Sequence, residues 1–505
     1  DIAQCLVGSE MCIRDRLQGV ILLNTDAAAL QIVDSRGRQI EHVKREYSEK
    51  NLPLASFSAE VMQRALSQLQ RFQQLLRDYG VEDVRLYGSE NLSKMLNAIY
   101  FVDQVENVTG LELLWLNANQ ENYYRQLALR VHDEKILNER YAFVLGVSST
   151  RIDLSYFENN QFKFSQHSAI GPVRLTQSIR DMAAEITEIP DLIPEFIDSK
   201  LADFWHMLPP FQATDTIILL GADVLNQLFL NKKPKTTIHK SELQSLIRSF
   251  NQRNKQAIAE QYSIDLNDIW MVFMEAVLVV EVMSAVGASN LHMSSLTVLD
   301  GLVVKDNNAQ NDIITAARGI ADRYMVEEKH RELVLRYAWR LFDRLKRIHR
   351  LSARDRLLLG VAALTHDVGS FINSQKHYQY SEEILEGIDF HGLSTSEQRM
   401  IASIARYHSA ETPDNALRST QEFSPRQRMR IAKMAALLRL ADALDDSRLQ
   451  KISKLTVSIG TEKITVIGQS AADLQLEMYI FAQKAHFFEA VFGLPIVLKR
   501  QGKRS

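Results

Sequence analysis

The pattern of apolar and polar positions along the first third of the chain predicts strands separated by helices. GVILLNTDAAALQIVD predicts a pair of strands, which a polar stretch, RGRQIEHVKREY, follows. A helix is predicted next, because Ser58 and Glu60 are typical of a helix start and Gly80 of a helix end. VEDVRLYGS then predicts a short strand. This alternation is typical of an α/β domain.

A second β-rich segment begins at Tyr141, and Glu158-Asn159-Asn160 predicts the turn of a hairpin. DTIILLG predicts a further strand before a series of long helices. The segment after Asn308 has helical period throughout, and the tail returns to strands, one helix and a last strand, LPIVLKR. We therefore predict an α/β plus all-α protein with two α/β lobes at 17–138 and 139–307, a helical domain at 308–449 and a small α+β tail at 450–505.

Composition narrows the class of protein. The chain has 505 residues, 46% of them hydrophobic, and a net charge of −3, which gives no general reason to expect nucleic-acid or membrane binding. An uninterrupted run of 18 apolar residues does not occur, so no transmembrane helix is predicted. Both cysteines, Cys5 and Cys12, lie in residues 1–16, which look like a translated adapter and are excluded from the fold. The absence of cysteine from the rest of the chain fits the reducing cytoplasm. The position of the natural N-terminus is left undecided.

Four segments of the predicted helical domain carry histidine or aspartate in phase with an apolar face. A buried carboxylate is costly unless a cation pairs with it. One such histidine alone would most often be a hydrogen-bonded core residue, but four positions in phase favour a metal. Imidazoles with carboxylates suit Mn²⁺, Fe²⁺ or Mg²⁺, and the absence of thiols disfavours a structural zinc site. The positions are His330, His366-Asp367, His408 and Asp442.

This order of residues resembles the HD phosphohydrolase superfamily, and HDVGSFIN, HYQYSEEIL and LLRLADALDDSR are similar to the C-terminal HD domain of the exopolyphosphatase/guanosine-pentaphosphatase (Ppx/GppA) family. The resemblance implies a divalent metal that orients a phosphoryl group and activates water. It implies His366, Asp367 and His408 as catalytic residues. Tyr380 stands where the family usually has a histidine, so a second metal stays open. The implied metal ligands are His330, His366, Asp367 and Asp442, with His377 and His408 as supporting or second-metal residues.

The resemblance extends from about Leu17 to Leu498 and includes VRLYGSENLSKMLN and SAIGPVRLTQ. It implies two lobes of the actin-like, sugar-kinase-like ATPase fold, followed by the HD domain and the tail. In the family, each lobe opens with a phosphate-binding loop, and the front domain normally carries the polyphosphatase activity. The family often forms dimers, so a homodimer is expected.

The two phosphate loops depart from the family pattern. The first family loop, Asp-Ile-Gly-Ser/Thr-Asn-Ser, is replaced by LLNTDA, and the second, Asp-Ile-Gly-Gly-Gly-Ser-Thr-Glu, by VLGVSSTR. A phosphate cradle needs glycine for close approach of backbone N–H groups, and Ser93 replaces a family arginine. We therefore predict a degenerate front cleft. Its residues are Asn24, Thr25, Asp26, Glu121, Gly146, Ser148, Ser149 and Thr150.

Three functions follow from these observations. The first is a metal-dependent HD-type phosphohydrolase acting on a nucleotide, an alarmone (ppGpp or pppGpp) or polyphosphate. The second is a catalytically silent member that binds a ligand or partner. The third, an exopolyphosphatase using the front cleft, is the weakest because its carboxylates and glycines are missing. The expected partner is a phosphorylated small molecule or polyphosphate, with no membrane and no specific nucleic acid. The substrate and the metal stay open.

Overall fold

The computed structural model describes residues 17–48, 56–133, 137, 140–183, 189–230, 237–252, 255–262, 264–266, 268–304, 309–409 and 420–501. It divides into two compact units, Asp1–Asn307 and Asn308–Ser505. Residues 1–16, with both cysteines, and the predicted lobe boundary at 138 and 139 lie outside the described residues.

The first unit begins with a five-stranded sheet in the order β3-β2-β1-β4-β5. Its strands are β1 (Gln18–Leu23), β2 (Ala27–Val33), β3 (Gln39–Glu46), β4 (Asp83–Gly88) and β5 (Leu113–Trp115). β1 is antiparallel to β2 and parallel to β4, so the predicted strand pair is confirmed. The polar stretch after that pair is a third strand, which was not predicted. β3 is an edge strand with mostly exposed polar residues, so it lacks an apolar period.

Four helices accompany this sheet: α1 (Ala59–Asp78), α2 (Glu90–Ser93), α3 (Ala98–Thr109) and α4 (Ala118–His132). The predicted start of α1 is confirmed, because the side chain of Ser58 accepts a hydrogen bond from the backbone N–H of Val61. Gly80 follows the helix with a φ of +67°, where a side chain would be strained. The buried face of α1 packs on the sheet through residues such as Leu69 and Phe72.

The second sheet of the first unit has the order β10-β11-β9-β6-β7-β8. Its strands are β6 (Tyr141–Val147), β7 (Ile152–Glu158), β8 (Gln161–Ser168), β9 (Thr216–Gly221), β10 (Thr237–His239) and β11 (Asn290–Met293). β6 is antiparallel to β7 and parallel to β9, which repeats the arrangement of β1 with β2 and β4. Asn159 and Asn160 both have positive φ, so the predicted hairpin turn is confirmed. The predicted likeness of the two lobes is thus present in their strand connections.

The helices with this sheet are α5 (Pro172–Ala183), α6 (Ile189–His206), α7 (Asp223–Leu230), α8 (Lys240–Gln252), α9 (Lys255–Tyr262), α10 (Ile269–Val286) and α11 (Val298–Leu302). By length and composition α10 alone among the described helices could cross a membrane, with a mean hydropathy of 2.0. Most of it is buried in the core of this lobe. Glu275 of α10 is buried and accepts the backbone N–H of Leu225 at 2.8 Å, at the start of α7.

The second unit is helical and ends in a three-stranded sheet. Its helices are α12 (Ala309–Arg323), α13 (Glu328–Arg344), α14 (Lys346–His349), α15 (Ala353–Thr365), a 3₁₀ turn (Val368–Phe371), α16 (His377–Gly387), α17 (Thr395–Arg406), α18 (Pro425–Ala443) and α19 (Gln475–Phe492). The strands are β12 (Lys454–Ile459), β13 (Ile464–Gln469) and β14 (Ile496–Gln501). α19 connects the parallel strands β13 and β14 and contacts α18. The predicted α/β, helical and α+β classes are confirmed.

Candidate functional site

The predicted ligands of the helical unit lie on buried helix faces or just beyond helix ends. His330 lies in the first turn of α13, and Asp442 lies in the last turn of α18. His366 follows α15 and Asp367 precedes the 3₁₀ turn. His408 lies two residues beyond α17. All five side chains are buried, and His366 is 0% exposed, so the in-phase pattern of the sequence corresponds to an inward-facing polar group.

Four imidazoles of this unit are held through their Nδ1 atoms. For His366, His377 and His408, Nδ1 contacts the carbonyl oxygen three residues earlier in the chain. For His330, Nδ1 lies 2.9 Å from Oδ2 of Asp445. Because a carbonyl oxygen only accepts, Nδ1 of the first three rings carries a proton that it donates. The lone pair of each neutral ring is then on Nε2, which is the atom turned toward the aspartates.

The Nε2 atoms and carboxylate oxygens form two overlapping groups, each with ligand atoms within 4.8 Å of one another. His366 belongs to both groups, since its Nε2 lies 3.7 Å from Oδ1 of Asp442 and 3.6 Å from Oδ1 of Asp367. His377 adjoins the second group, with its Nε2 3.0 Å from Nε2 of His408. The predicted ligands are therefore divided between two trios. These are His330, His366 and Asp442, and His366, Asp367 and His408.

The donor atoms fit a divalent cation. Within the described part of the chain, the buried Nε2 of His366 has no hydrogen-bond partner. A buried polar atom without a partner costs about 1–3 kcal/mol, and the ionised carboxylates beside it cannot donate to it. The set of imidazole and carboxylate donors without thiols is the set that Mn²⁺, Fe²⁺ or Mg²⁺ prefers.

Helix α16 holds His377 and the backbone around His366 in place. The hydroxyl of Ser381, on α16, donates to the carbonyl oxygen of His366 at 2.6 Å and accepts the backbone N–H of Gly369 at 2.9 Å. Gly369 lies so close to the backbone of His377 and Ser381 that a Cβ there would clash with both. Tyr380, at the position where a histidine was expected, is half-buried on the same helix.

Three charged residues at this centre were not predicted. Asp445 lies one helical turn after Asp442, so the spacing of LADALDD could have identified it. Arg448 donates from Nη2 to Oδ2 of Asp367 at 2.6 Å. Lys484 forms an ion pair through Nζ with Oδ2 of Asp442. Lys484 comes from α19 of the tail, and no local pattern links it to this centre.

Burial and neighbouring charges set the ionisation states of the candidate ligands in the metal-free protein. Burial disfavours the charged forms of Asp367 and Asp442, yet the positive charge that His366 carries when protonated, together with Arg448, in the first case and the ammonium of Lys484 in the second hold the pKa of each carboxyl below its usual range. Burial and the nearby His366 lower the pKa of His408 to about 3. Burial also lowers the pKa of His330, but its two carboxylate partners raise that pKa to about 9. His408 is therefore neutral at pH 7, and His330 is protonated in the metal-free protein.

The first front loop is a tight turn. Asn24, Thr25 and Asp26 connect β1 to β2, and the backbone N–H of Asn24 donates to the carbonyl oxygen of Ala27 at 2.9 Å. The hydroxyl of Tyr47 donates to the carbonyl oxygen of Asn24. The loop between β1 and β2 is therefore a hydrogen-bonded turn.

The second front loop connects β6 to β7. It consists of Ser148, Ser149 and Thr150, after Gly146 within β6. The backbone N–H of Ser148 donates to the carbonyl oxygen of Arg151 at 3.0 Å. Gly171 packs against it so closely that a Cβ there would lie 2.5 Å from the carbonyl oxygen of Ser149. A neighbouring segment therefore packs on this loop.

Arg151 links the second loop to the first lobe. Its Nε donates to Asp153 of β7 at 2.9 Å, and its Nη2 donates to Oδ1 of Asn119 at 2.8 Å. Asn119 lies near the start of α4, two residues before Glu121. Glu121 accepts the backbone N–H of Glu90 at 2.8 Å, and burial raises the pKa of its carboxyl. The guanidinium of Arg151 thus lies between a carboxylate and an amide beside the second loop.

Comparison with known protein families identifies the family to which this chain belongs. A profile of the Ppx/GppA phosphatase family matches residues 21–309, which is more than half of the chain. This chain belongs to the Ppx/GppA phosphatase family. A second profile, Ppx/GppA phosphatase, domain III, matches residues 314–482. The family predicted from the sequence is confirmed, and the second match includes every residue of the two trios.

Curated relatives and a solved structure agree with this assignment. The chain is 21% identical to a guanosine-5'-triphosphate,3'-diphosphate pyrophosphatase of Aeromonas hydrophila, over 82% of this chain and 84% of the relative. It is 23% identical to the protein of that name from Vibrio campbellii, over 84% and 86%. The Ppx/GppA enzyme of Aquifex aeolicus matches with a TM-score of 0.50 and 17% identity, over 57% of this chain and 99% of that one. The actin-like ATPase fold predicted for the front lobes is confirmed.

Proposed function

We propose that this Ppx/GppA-family chain is a metal-dependent phosphohydrolase that works through an HD-type centre in its helical unit. The ligands would be His330, His366, Asp367 and Asp442, and the ion Mn²⁺, Fe²⁺ or Mg²⁺. Such an ion lowers the pKa of a ligated water and offsets the charge of a phosphoryl group. The observation that carries the proposal is that four imidazoles use Nδ1 for a fixed oxygen and turn Nε2 inward, as metal-ligating histidines do.

The side chains around this centre have roles that their positions support. Nε2 of His408 lies 3.0 Å from Nε2 of His377, so the two rings together can hold between them the proton that an attacking water loses. Asp367 would offer Oδ1 to the ion, because its Oδ2 accepts a hydrogen bond from Arg448. Arg448 has a side chain that is 44% exposed, so its guanidinium is available to a phosphoryl oxygen. These contacts suit hydrolysis of a phosphoanhydride or a phosphoester.

We assign the substrate to phosphorylated nucleotides, alarmones or polyphosphate. The relatives named guanosine-5'-triphosphate,3'-diphosphate pyrophosphatase make pppGpp the first compound to test. We further propose that the front cleft is degenerate and silent. The closed first turn and the ion pair of Arg151 with Asp153 support this. A cytoplasmic location and a homodimer remain part of the proposal.

Two measurements test this function. Mass spectrometry of the metal content of purified protein should find a divalent ion bound to the chain. A phosphate-release screen with Mn²⁺ over pppGpp, ppGpp, nucleoside triphosphates and polyphosphate should identify a substrate, and EDTA should abolish that release. Protein that carries no metal and is indifferent to EDTA in both activity and melting temperature would remove the metal centre.

A second candidate function is a catalytically silent binding protein. It is favoured by the ion pairs of Asp367 with Arg448 and of Asp442 with Lys484, because these pairs give both carboxylates a cationic partner without a metal. The front lobes would then bind a ligand or a partner. In this case the phosphate-release screen stays negative while calorimetry with pppGpp or polyphosphate still detects binding.

A further inference from the structure

The C-terminal tail places a buried cation at one of the two candidate trios. Lys484 lies on α19 and is 6% exposed. Its Nζ forms an ion pair with Oδ2 of Asp442. A buried ammonium is costly unless it is paired, and Asp442 is the carboxylate that pairs with it. The tail is therefore joined to the centre by a direct charged contact with a candidate ligand.

The two oxygens of Asp442 have different surroundings. Oδ2 contacts the lysine, whereas Oδ1 lies 3.2 Å from Nε2 of His330 and 3.7 Å from Nε2 of His366. With Oδ2 occupied by an ammonium, the carboxylate has one oxygen to offer to an ion. The lysine therefore contacts one oxygen of Asp442 and leaves the other, Oδ1, facing the two imidazoles.

We propose that Lys484 is a positioning residue that restricts Asp442 to one ligand oxygen and raises the Kd of the centre for a divalent metal. This inference rests on the proposed metal centre. An ammonium and a divalent cation on the same carboxylate repel each other. Arg448 has the corresponding contact with Oδ2 of Asp367. The two aspartates are thus balanced by two cations before a metal binds, and a bound divalent ion leaves the centre positive. A positive centre suits an anionic phosphoryl ligand.

The test compares Lys484→Met with a matched control, Lys451→Met. Lys451 also pairs with a buried carboxylate of α19, since its Nζ lies 3.0 Å from Oε1 of Glu477. Glu477 belongs to neither trio. Without metal, both variants should melt below the wild type, because each leaves a buried carboxylate without its cation.

With Mn²⁺ the two variants should differ. In K484M the ion replaces the missing cation at Asp442, so the metal-induced rise in Tm should exceed that of the wild type and Kd should fall about tenfold or more. In K451M the rise and Kd should equal those of the wild type. Lys484→Arg should behave as the wild type, and Lys484→Gln, which keeps a hydrogen bond without the charge, should bind Mn²⁺ more tightly. Both measurements use the full chain with Mn²⁺ as the only ligand. Calorimetry gives the Kd for Mn²⁺, and thermal melts give the metal-induced rise in Tm.

The outcomes separate the two proposals. If the wild type binds Mn²⁺ but neither K484M nor K484Q binds it more tightly, Lys484 does not set the affinity and the inference is wrong. If K484M should not fold even with Mn²⁺, K484Q decides alone. If the wild type binds none of Mn²⁺, Fe²⁺ and Mg²⁺, the proposed metal centre is wrong, and the inference with it.

Discussion

The Nε2 atoms of His377 and His408 face one another at 3.0 Å, while the Nδ1 atom of each ring contacts a backbone carbonyl oxygen. Two neutral rings in this arrangement would direct lone pairs at each other. The contact is favourable when a proton or a cation lies between them. Oδ1 of Asp367 lies 3.7 Å and 3.6 Å from these two Nε2 atoms, so a cation here would also meet a carboxylate.

Metal binding should release protons at neutral pH. His330 has a pKa of about 9 in the metal-free protein, so it must lose a proton before its Nε2 can bind a metal. The affinity for Mn²⁺ should therefore rise with pH, by up to about tenfold per unit, and level off above about pH 9. Calorimetry at pH 7 in two buffers of different ionisation enthalpy should detect about one released proton. An affinity that is equal at pH 6.5 and 8.5 would contradict this role of His330.

The same ionisation predicts how the metal-free protein responds to pH. The folded pKa of His330, about 9, lies above the ordinary value of 6.5. Its contribution to the free energy of unfolding is therefore complete below about pH 6.5 and is lost as pH rises through 9. Thermal melts in EDTA between pH 6.5 and 9.5 should show a decline in Tm that saturating metal suppresses.

Asp367→Asn tests the charge of the centre. The amide keeps the volume and one oxygen but removes the negative charge, so metal affinity should fall and most hydrolysis should be lost, while excess metal still supports the fold. The matched control is Asp355→Asn, a buried carboxylate that pairs with Arg430 at 2.7 Å and caps α15. D355N should lower stability by roughly 1–3 kcal/mol and leave metal affinity unchanged. Equal affinities for D367N and the wild type would remove Asp367 from the centre.

The sequence predicts those site residues that local spacing encodes. His330 and Asp442 lie on helices whose apolar positions recur every three or four residues, so a polar residue in phase with them points inward. The hairpin turn at Asn159-Asn160 was also predictable from local sequence, because a tight turn that needs positive φ at two residues favours asparagine there. Local sequence patterns are therefore sufficient to predict these candidate ligands and this turn.

Other features depend on contacts between distant segments. Lys484 contacts Asp442 from the tail, 42 positions later in the chain, and the sequence around a lysine on a helix gives no sign of its partner. β3 was missed because an edge strand needs no apolar face. Arg448, in a left-handed backbone conformation after α18, reaches Asp367 through a turn that spacing does not encode. Such contacts require the tertiary structure.

Glu121→Gln tests whether the front cleft takes part in turnover. Glu121 is one of the predicted front-cleft residues, and its carboxylate accepts the backbone N–H of Glu90. If the cleft is silent, E121Q should keep kcat and KM for phosphate release within about twofold, because an exchange outside the reacting centre leaves the barrier unchanged. Asp442→Asn, assayed beside it, should lose most activity. Loss of activity in E121Q with retention in D442N would place the chemistry in the front lobes.

Gly369→Ala tests whether α16 must pack tightly for the centre to form. A Cβ at Gly369 would clash with the carbonyl oxygen of His377 and the backbone nitrogen of Ser381, so α16 must move away. That movement displaces His377 and breaks the hydrogen bond from Ser381 to the backbone of His366. We expect G369A to lose roughly 1–3 kcal/mol of stability through overpacking and about tenfold in metal affinity through the displaced support. The control is Gly387→Ala at the end of α16, where a Cβ meets nothing within 4 Å, and it should be near neutral in both measurements. Wild-type metal affinity in G369A, by calorimetry, would show that His377 and the support from α16 are dispensable to the centre.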